Sequence, residues 1–150
     1  MRFLGNIEAK IDQKGRVFLP STFRKELLTV QAENLILRKD VFQRCLVIYP
    51  ENVWNETMDS MRQKLNRWDP KQQQVYRQFV ADAETVTLDG NGRFLISRRA
   101  LEFAGIDQQV KFIGMGDTIE VWAEQQTQEA FMNADEFREA LAGMMGDMPF

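Results

Sequence analysis

The chain has 150 residues, of which 44% are hydrophobic and 27% are charged, and its formal net charge is −3. This composition is typical of a soluble globular protein with one domain or two small repeats. No apolar run approaches the roughly 18 to 20 residues of a bilayer-spanning helix. The start of the chain also leaves no room for a signal peptide before the first motif. We therefore expect a cytoplasmic protein without a membrane partner.

The residue types argue against an enzyme. Histidine is absent, which removes the commonest general base and the commonest nitrogen ligand for metals. Cys45, the only cysteine, lies in the apolar run 45–49, which favours a small buried hydrophobe over a nucleophile. No glycine-rich phosphate loop or clustered carboxylate pair is present. We expect no catalytic activity, no cofactor, no metal site and no small-molecule substrate.

The charge is unevenly distributed. Residues 1–40 hold eight Lys and Arg against five acids, whereas residues 117–150 hold eight acids against Arg138 alone. This asymmetry indicates a basic face in the first part of the chain and an acidic region kept away from it. A solvated surface without a partner is the alternative interpretation.

The first motif is Ile11-Asp12-Gln13-Lys14-Gly15-Arg16-Val17-Phe18-Leu19. An Asp that opens a turn can accept a hydrogen bond from the backbone two residues on, and the Gly can supply a positive φ. Ile7, Ala9 and Ile11 alternate with polar residues, as in a half-buried strand. The pattern predicts the tip of a β-hairpin, with Arg16 beginning the returning strand near solvent. Arg16 either binds an anion or only pairs with its own turn aspartate.

A short helix and two strands follow the first motif. Ser21 is a candidate N-cap for a helix over 22–28 that buries Phe23 and Leu27. The apolar runs 35–37 and 46–49 predict strands.

Helical patterns then occupy the middle of the chain. Pro50 is expected to begin a helix with an apolar stripe at alternating steps of four and three, made of Trp54, Met58, Met61, Leu65 and Trp68. Asp69 and Pro70 fit the N-cap and first position of the next helix, whose apolar face is Val75, Tyr76, Phe79 and Val80. Such stripes favour core or subunit contacts.

The motif recurs 77 residues later as Leu88-Asp89-Gly90-Asn91-Gly92-Arg93-Phe94-Leu95-Ile96. A hairpin over 84–96 is again predicted, with Arg93 in the position of Arg16. Ser97 would cap a short helix that Gly105 ends, and the runs 110–113 and 119–122 predict strands. One unit of strand, turn, strand, helix, strand and strand is therefore used twice.

The C-terminal region ends with a further apolar pattern. Phe131, Ala134, Phe137 and Leu141 have helical spacing, whereas residues 143–150 lack a strong helical signal and are expected to be partly mobile.

Together these residues resemble the MraZ family of bacterial regulators, over essentially the full length. The resemblance is carried by the start Phe3-Leu4-Gly5, the two motifs Asp12–Arg16 and Asp89–Arg93, Pro20, the strand 46–50 and the helices between them. It implies an α+β fold in which two swapped-hairpin β-barrel repeats, like those of AbrB and SpoVT, form a pseudo-dimer within one chain. The implied organisation is a first repeat at 1–53, connecting helices at 54–81, a second repeat at 82–124, and a C-terminal helix and tail at 125–150.

The resemblance also implies function and site residues. It places the DNA-contacting arginine at Arg16, with Lys14 beside it, and the second arginine at Arg93. The corresponding turn frameworks are Asp12 with Gly15 and Asp89 with Gly92. Asn91 stands where the first motif has Lys14, so the first motif is expected to contribute more.

The leading hypothesis is a nucleoid-associated, DNA-binding transcriptional regulator that binds tandem promoter repeats of the division and cell-wall gene cluster as a ring-shaped homo-oligomer. A ring-forming structural or protein-interaction protein without specific DNA binding is the alternative. A carboxylate-dependent hydrolase is the least supported class.

Overall fold

The computed structural model describes residues 1–31 and 34–146. The strands are β1 (Asn6–Lys10), β2 (Arg16–Phe18), β3 (Asn34–Lys39), β4 (Leu46–Pro50), β5 (Glu84–Thr87), β6 (Arg93–Leu95), β7 (Gln109–Gly114) and β8 (Ile119–Ala123). The helices are α1 (Ser21–Thr29), α2 (Glu51–Lys64), α3 (Pro70–Ala81), α4 (Arg98–Ala104) and α5 (Ala134–Met145), with a 3₁₀ helix at Glu124–Ala130. None of the described helices combines the length and apolarity that crossing a membrane would require.

All strand pairs are antiparallel, which confirms a mixed α+β architecture. Six strands form one sheet in the order β1-β7-β8-β4-β3-β5, and β2 and β6 form a separate two-stranded ribbon. Within the described residues the larger sheet has β1 and β5 at its ends and does not close into a barrel.

The pairing crosses between the two repeats. Strand β1 pairs with β7, β5 with β3, β2 with β6 and β4 with β8. The chain does reverse at each motif, but Ile11 and Val17 form only an isolated bridge across the first turn. The residue pattern predicts a hairpin at each motif, and in the structure the arms of these hairpins form their ladders with strands of the other repeat. An alternating pattern shows which face of a strand is buried, but the other repeat supplies the edge to which the strand bonds.

The core lies where elements of the two repeats meet. One cluster of buried side chains contains Phe3 and Phe23 of the first repeat together with Phe94 and Phe112 of the second. Within each repeat the two rings pack edge-to-face, with centroids 5.5 Å and 6.3 Å apart. Cys45 is fully buried, as predicted, in a small cluster with Ile113 and Trp122. Each repeat thus buries apolar side chains that the other repeat helps to cover.

The two short helices begin differently. Ser97 caps α4, with its hydroxyl accepting from the N–H of Ala100, and Gly105 ends the helix with φ 66°; both predictions are confirmed. Ser21, in contrast, is the first residue of α1 and not its cap, because Pro20 occupies the N-cap position without a side-chain hydrogen bond.

The middle region contains two helices, but the predicted stripe extends past the end of the first. Helix α2 ends at Lys64, and Trp68 lies in the connection with 92% of its surface exposed. The backbone leaves the helix at Leu65, which is extended with ψ 134°. The side chain of Asn66 then accepts from the N–H of Trp68 at 2.9 Å in a local turn. Asp69 caps α3 by accepting from the N–H of Lys71 at 2.9 Å, as predicted.

The C-terminal helix is longer than expected. Helix α5 is capped by Asn133, contains Gly143 and continues to Met145, although the sequence lacks a strong signal there. Phe131 precedes the helix rather than lying on it. None of the α5 side chains is buried in the described chain. The last part of the predicted mobile tail, residues 147–150, lies outside the described residues.

Candidate nucleic-acid interface

The first turn is built around the carboxylate of Asp12. Its Oδ1 accepts from the backbone N–H groups of Lys14 and Arg16, both at 2.9 Å, and its Oδ2 accepts from Nε of Arg16 at 2.8 Å. The N–H of Gly15 donates to the Asp12 carbonyl at 3.1 Å, and the Asp12 N–H donates to the Arg16 carbonyl at 2.9 Å. One aspartate thus fixes both the turn and the direction of its arginine.

The second turn repeats this geometry. Asp89 Oδ1 accepts from the N–H groups of Asn91 and Arg93, both at 2.9 Å, and Oδ2 accepts from Nε of Arg93 at 3.0 Å. Gly92 donates to the Asp89 carbonyl at 3.0 Å. The two Asp–Gly pairs thus occupy equivalent positions in the two turns.

The electrostatics follow from the same contacts. The backbone N–H of Arg16, followed by the guanidinium hydrogen bond, holds the pKa of Asp12 below its ordinary value. The N–H of Arg93 likewise lowers the pKa of Asp89. Both aspartates are therefore ionised near neutral pH and act as permanent acceptors in their turns.

Each arginine does pair with its own turn aspartate, and this pairing leaves part of the guanidinium available. Each guanidinium has three nitrogens, and in the described residues only Nε of Arg16 and Nε of Arg93 makes a side-chain hydrogen bond. The side chains of Arg16 and Arg93 are 37% and 26% exposed. The two Nη groups, which form the bidentate end of a guanidinium, remain available for an acceptor outside the chain.

The β2–β6 ribbon brings the two arginines together. Arg16 lies opposite Leu95, and Arg93 lies opposite Phe18, with the central pair Val17 and Phe94 between them. Since opposite residues share a face and successive residues alternate, both arginines lie on the same face of the ribbon. The central pair lies on the other face and is buried. Residues 77 positions apart are thus brought together by exchanged strands.

A further cation, which the sequence analysis missed, lies at the second turn. Arg24 of α1 donates from Nη1 to the carbonyl of Asn91 at 3.3 Å, and its guanidinium packs against Gly92. Beside Gly15 the corresponding neighbour is the apolar Leu101. Leu101 follows Arg24 by the same 77 residues that separate the motifs, so aligning the two helices would have revealed the difference. The second turn lacks a lysine but receives a guanidinium from the first repeat.

Three side chains elsewhere could in principle hold a metal, but their contacts do not fit that role. Potential ligand atoms of Asp40, Cys45 and Glu120 lie within 4.8 Å of one another. However, Asp40 accepts from two backbone N–H groups in the β3–β4 turn, and Glu120 accepts from Nε1 of Trp122 at 2.9 Å. Burial also raises the pKa of the Cys45 thiol and disfavours the thiolate that a metal requires.

Comparisons with known proteins agree with the duplicated architecture. The family model described as "MraZ protein, putative antitoxin-like" matches twice, at residues 2–78 and 79–147. A relative from Phocaeicola vulgatus, named transcriptional regulator MraZ, is 57% identical over 97% of this chain and 95% of its own length. A relative of the same name from Bacteroides fragilis is 52% identical over 97% of this chain and 92% of its own length. Another from Nitrosomonas eutropha is 33% identical over 80% of this chain and 80% of its own length. This chain, whose two repeats exchange strands and each carry an Asp–Arg turn, belongs to the MraZ family.

Proposed function

We propose that this chain is a transcriptional regulator that binds double-stranded DNA sequence-specifically through the outer face of the β2–β6 ribbon. The observation that carries the proposal is the placement of Arg16 and Arg93 on one face, each held at Nε by its own aspartate. The major groove admits a two-stranded ribbon, and arginine can bond bidentately to guanine there. An arginine that is already oriented loses less side-chain entropy on binding. The relatives are named transcriptional regulators, which supports the same function.

Cations beside the turns would contact phosphates. Lys14 lies in the first turn and Arg24 lies against the second, so each arginine has one neighbouring cation. Phosphate contacts supply affinity and orientation, whereas contacts with base edges supply specificity. The greater contribution expected of the first motif rests on Lys14, and Arg24 reduces the expected difference between the motifs.

The overall charge of −3 makes binding by an isolated protomer weak, and we propose that assembly compensates for this. Several protomers on tandem promoter repeats of the division and cell-wall gene cluster would gain affinity through effective concentration. Helix α5 has no buried side chain in the described chain, and its Phe137 is 56% exposed, so apolar surface is available for contacts that form a ring. We further propose that the exchanged strands are the swapped hairpins of two AbrB-like units, and that the protein acts at the nucleoid.

The experiment is a gel shift with promoter fragments from the source genome at several salt concentrations. Wild-type affinity should fall steeply with salt because counterions are released from DNA. Arg16→Ala should cost about 1–3 kcal/mol for each bidentate hydrogen-bonded pair with a base that it removes. Lys14→Ala and Arg24→Ala should each reduce the salt slope by about one for each engaged protomer.

Lys25→Ala is the matched control, since Lys25 is exposed on the same helix as Arg24 and also carries one positive charge. It should change binding little. Circular dichroism must show that each variant is folded. Wild-type affinity in folded Arg16→Ala would overturn the site and favour a ring-forming protein-interaction protein, whose apolar contacts would depend little on salt.

A further inference from the structure

The outer face of the ribbon, which carries Arg16 and Arg93, also carries two apolar side chains, Phe18 and Leu95. Phe18 is 54% exposed and Leu95 is 55% exposed, whereas the neighbouring Val17 and Phe94 on the other face are 1% and 2% exposed. Because of the register, Arg16 lies beside Leu95 and Arg93 lies beside Phe18. The exposed face is therefore a two-by-two arrangement in which cations and apolar groups alternate in both directions.

These apolar groups are part of the same surface as the cations. The guanidinium carbon of Arg93 lies 5.8 Å from the centre of the Phe18 ring, within the range of a cation–π contact. A ligand that covers this face must therefore accept hydrogen bonds from guanidinium groups and bury apolar groups a few ångströms away. An apolar protein surface would desolvate the Nη groups of both arginines and offer them no acceptor, which is costly.

We infer that Phe18 and Leu95 contact the 5-methyl groups of thymine in the major groove, beside the bases that the two arginines read. This inference rests on the proposed function. Thymine is the only base that presents a methyl group in this groove, and apolar side chains, including phenylalanine, recognise it. Guanine and the phosphates supply the acceptors for the neighbouring guanidinium groups. The alternating chemistry of the face thus matches one kind of ligand, duplex DNA.

The spacing of the side chains also fits a duplex. Residues two apart on a strand, such as Arg16 and Phe18, are separated by about 6.8 Å along it. This distance is about two base-pair steps of 3.4 Å. A ribbon that lies along the groove would therefore place a cation and an apolar group of the same strand two base pairs apart. Each strand of the ribbon would contribute one arginine and one apolar side chain to this contact.

The test removes the methyl groups without changing base pairing. The probe is a duplex that the wild-type protein enriches from a random-sequence pool, synthesised once with thymine and once with deoxyuridine at every thymine. The wild type should bind the deoxyuridine duplex about three- to fivefold more weakly for each contacted methyl. Phe18→Ala and Leu95→Ala should weaken binding to the thymine duplex and reduce the ratio of the two affinities toward one.

Two controls separate this inference from its alternatives. Arg16→Ala should bind both duplexes more weakly but keep the wild-type ratio, because it leaves the apolar groups in place. Leu28→Ala removes an apolar side chain that is 76% exposed on α1 and should change neither affinity nor ratio. If both Phe18→Ala and Leu95→Ala keep the wild-type ratio of thymine-duplex to deoxyuridine-duplex affinity, the inference is overturned while DNA binding stands. If these variants keep that ratio and also change the oligomeric state, the two side chains belong to a contact between proteins. Failure of the wild type to enrich any sequence would instead overturn the proposed function.

Discussion

The two turn glycines have the same backbone conformation but different surroundings, which leads to a quantitative prediction. Gly15 has φ +89° and Gly92 has φ +83°, so alanine is strained at both positions. A left-handed conformation costs an L-residue about 1–2 kcal/mol. The difference comes from what the added methyl group meets.

At Gly15 the methyl group would lie 2.8 Å from the backbone oxygen of Ile96, closer than such contacts occur. The strand must move, and this shift would break or weaken the hydrogen bond from the Ile96 N–H to the Gly15 carbonyl, at 2.9 Å. Such a bond is worth about 0.5–1.5 kcal/mol. At Gly92 the methyl group would meet the end of the flexible Arg24 side chain, which can move away. We therefore expect Gly15→Ala to cost about 2–3 kcal/mol and Gly92→Ala about 1–2 kcal/mol.

The assay is urea unfolding of both variants at one protomer concentration, because assembly makes stability depend on concentration. Thermal unfolding of the same variants is a second readout, in which a difference of 1 kcal/mol in unfolding free energy shifts Tm by about 2–4 °C for a chain of this size. Gly143→Ala is the control, because Gly143 lies within α5 with open space at its Cβ position, and alanine there should stabilise the protein slightly. Equal losses of stability for Gly15→Ala and Gly92→Ala would refute the reasoning. Gly92→Ala should still weaken DNA binding, since it displaces Arg24.

Three further predictions concern the turns, the core and the exchanged strands. In an NMR titration, the pKa of Asp12 should lie below its ordinary value of 3.8 and should stay largely lowered in Arg16→Ala, because the backbone N–H is the first cause of the shift. The resulting stabilisation is present above this ordinary value, which the unfolded chain has, and disappears as pH falls through the lower folded pKa. A return of the Asp12 pKa to its ordinary value in Arg16→Ala would contradict this explanation. Cys45 should react with a thiol reagent only at the rate of unfolding, because it is fully buried and burial raises its pKa, so rapid labelling of folded protein would disprove its placement. Fragments 1–67 and 68–150 should fold together when mixed, as measured by circular dichroism, and a stable folded monomer of either fragment alone would contradict the observed strand exchange.

Local chemistry in the sequence was sufficient to predict much of the structure. The duplicated turns, the strands, the caps at Asp69 and Ser97 and the buried Cys45 all depend on residues that lie close together in the chain. The turn at Asp12 is predictable because its acceptor and its donors lie within five residues. The end of α2 is not predictable in this way. The apolar spacing includes Trp68 although the helix ends at Lys64.

The features that the sequence did not predict depend on contacts between distant segments. In the sequence, Arg24 has no feature that distinguishes it from other polar residues of α1. The Arg24 guanidinium lies at the second turn only because α1 places it against Gly92. The strand pattern alone likewise does not give the partner of each strand, because the two repeats have similar patterns and either could supply the matching edge. Only the family resemblance, through its swapped hairpins, implied exchange between the repeats. Sequence similarity between repeats indicates that they share a local structure, but it does not say which repeat completes which sheet.

The exchange of strands has a consequence for recognition. If each turn belonged to a self-paired hairpin, the separation of Arg16 and Arg93 would depend on how two independent units docked. Here both arginines belong to the β2–β6 ladder. Arg93 lies opposite Phe18, and Phe18 follows Arg16 by two residues on β2. A slip of one residue in this ladder would move one strand's side chains to the opposite face and would also expose a buried central residue. Core packing at Val17 and Phe94 therefore fixes the spacing of the two arginines, and with it the spacing of the bases that we propose they read.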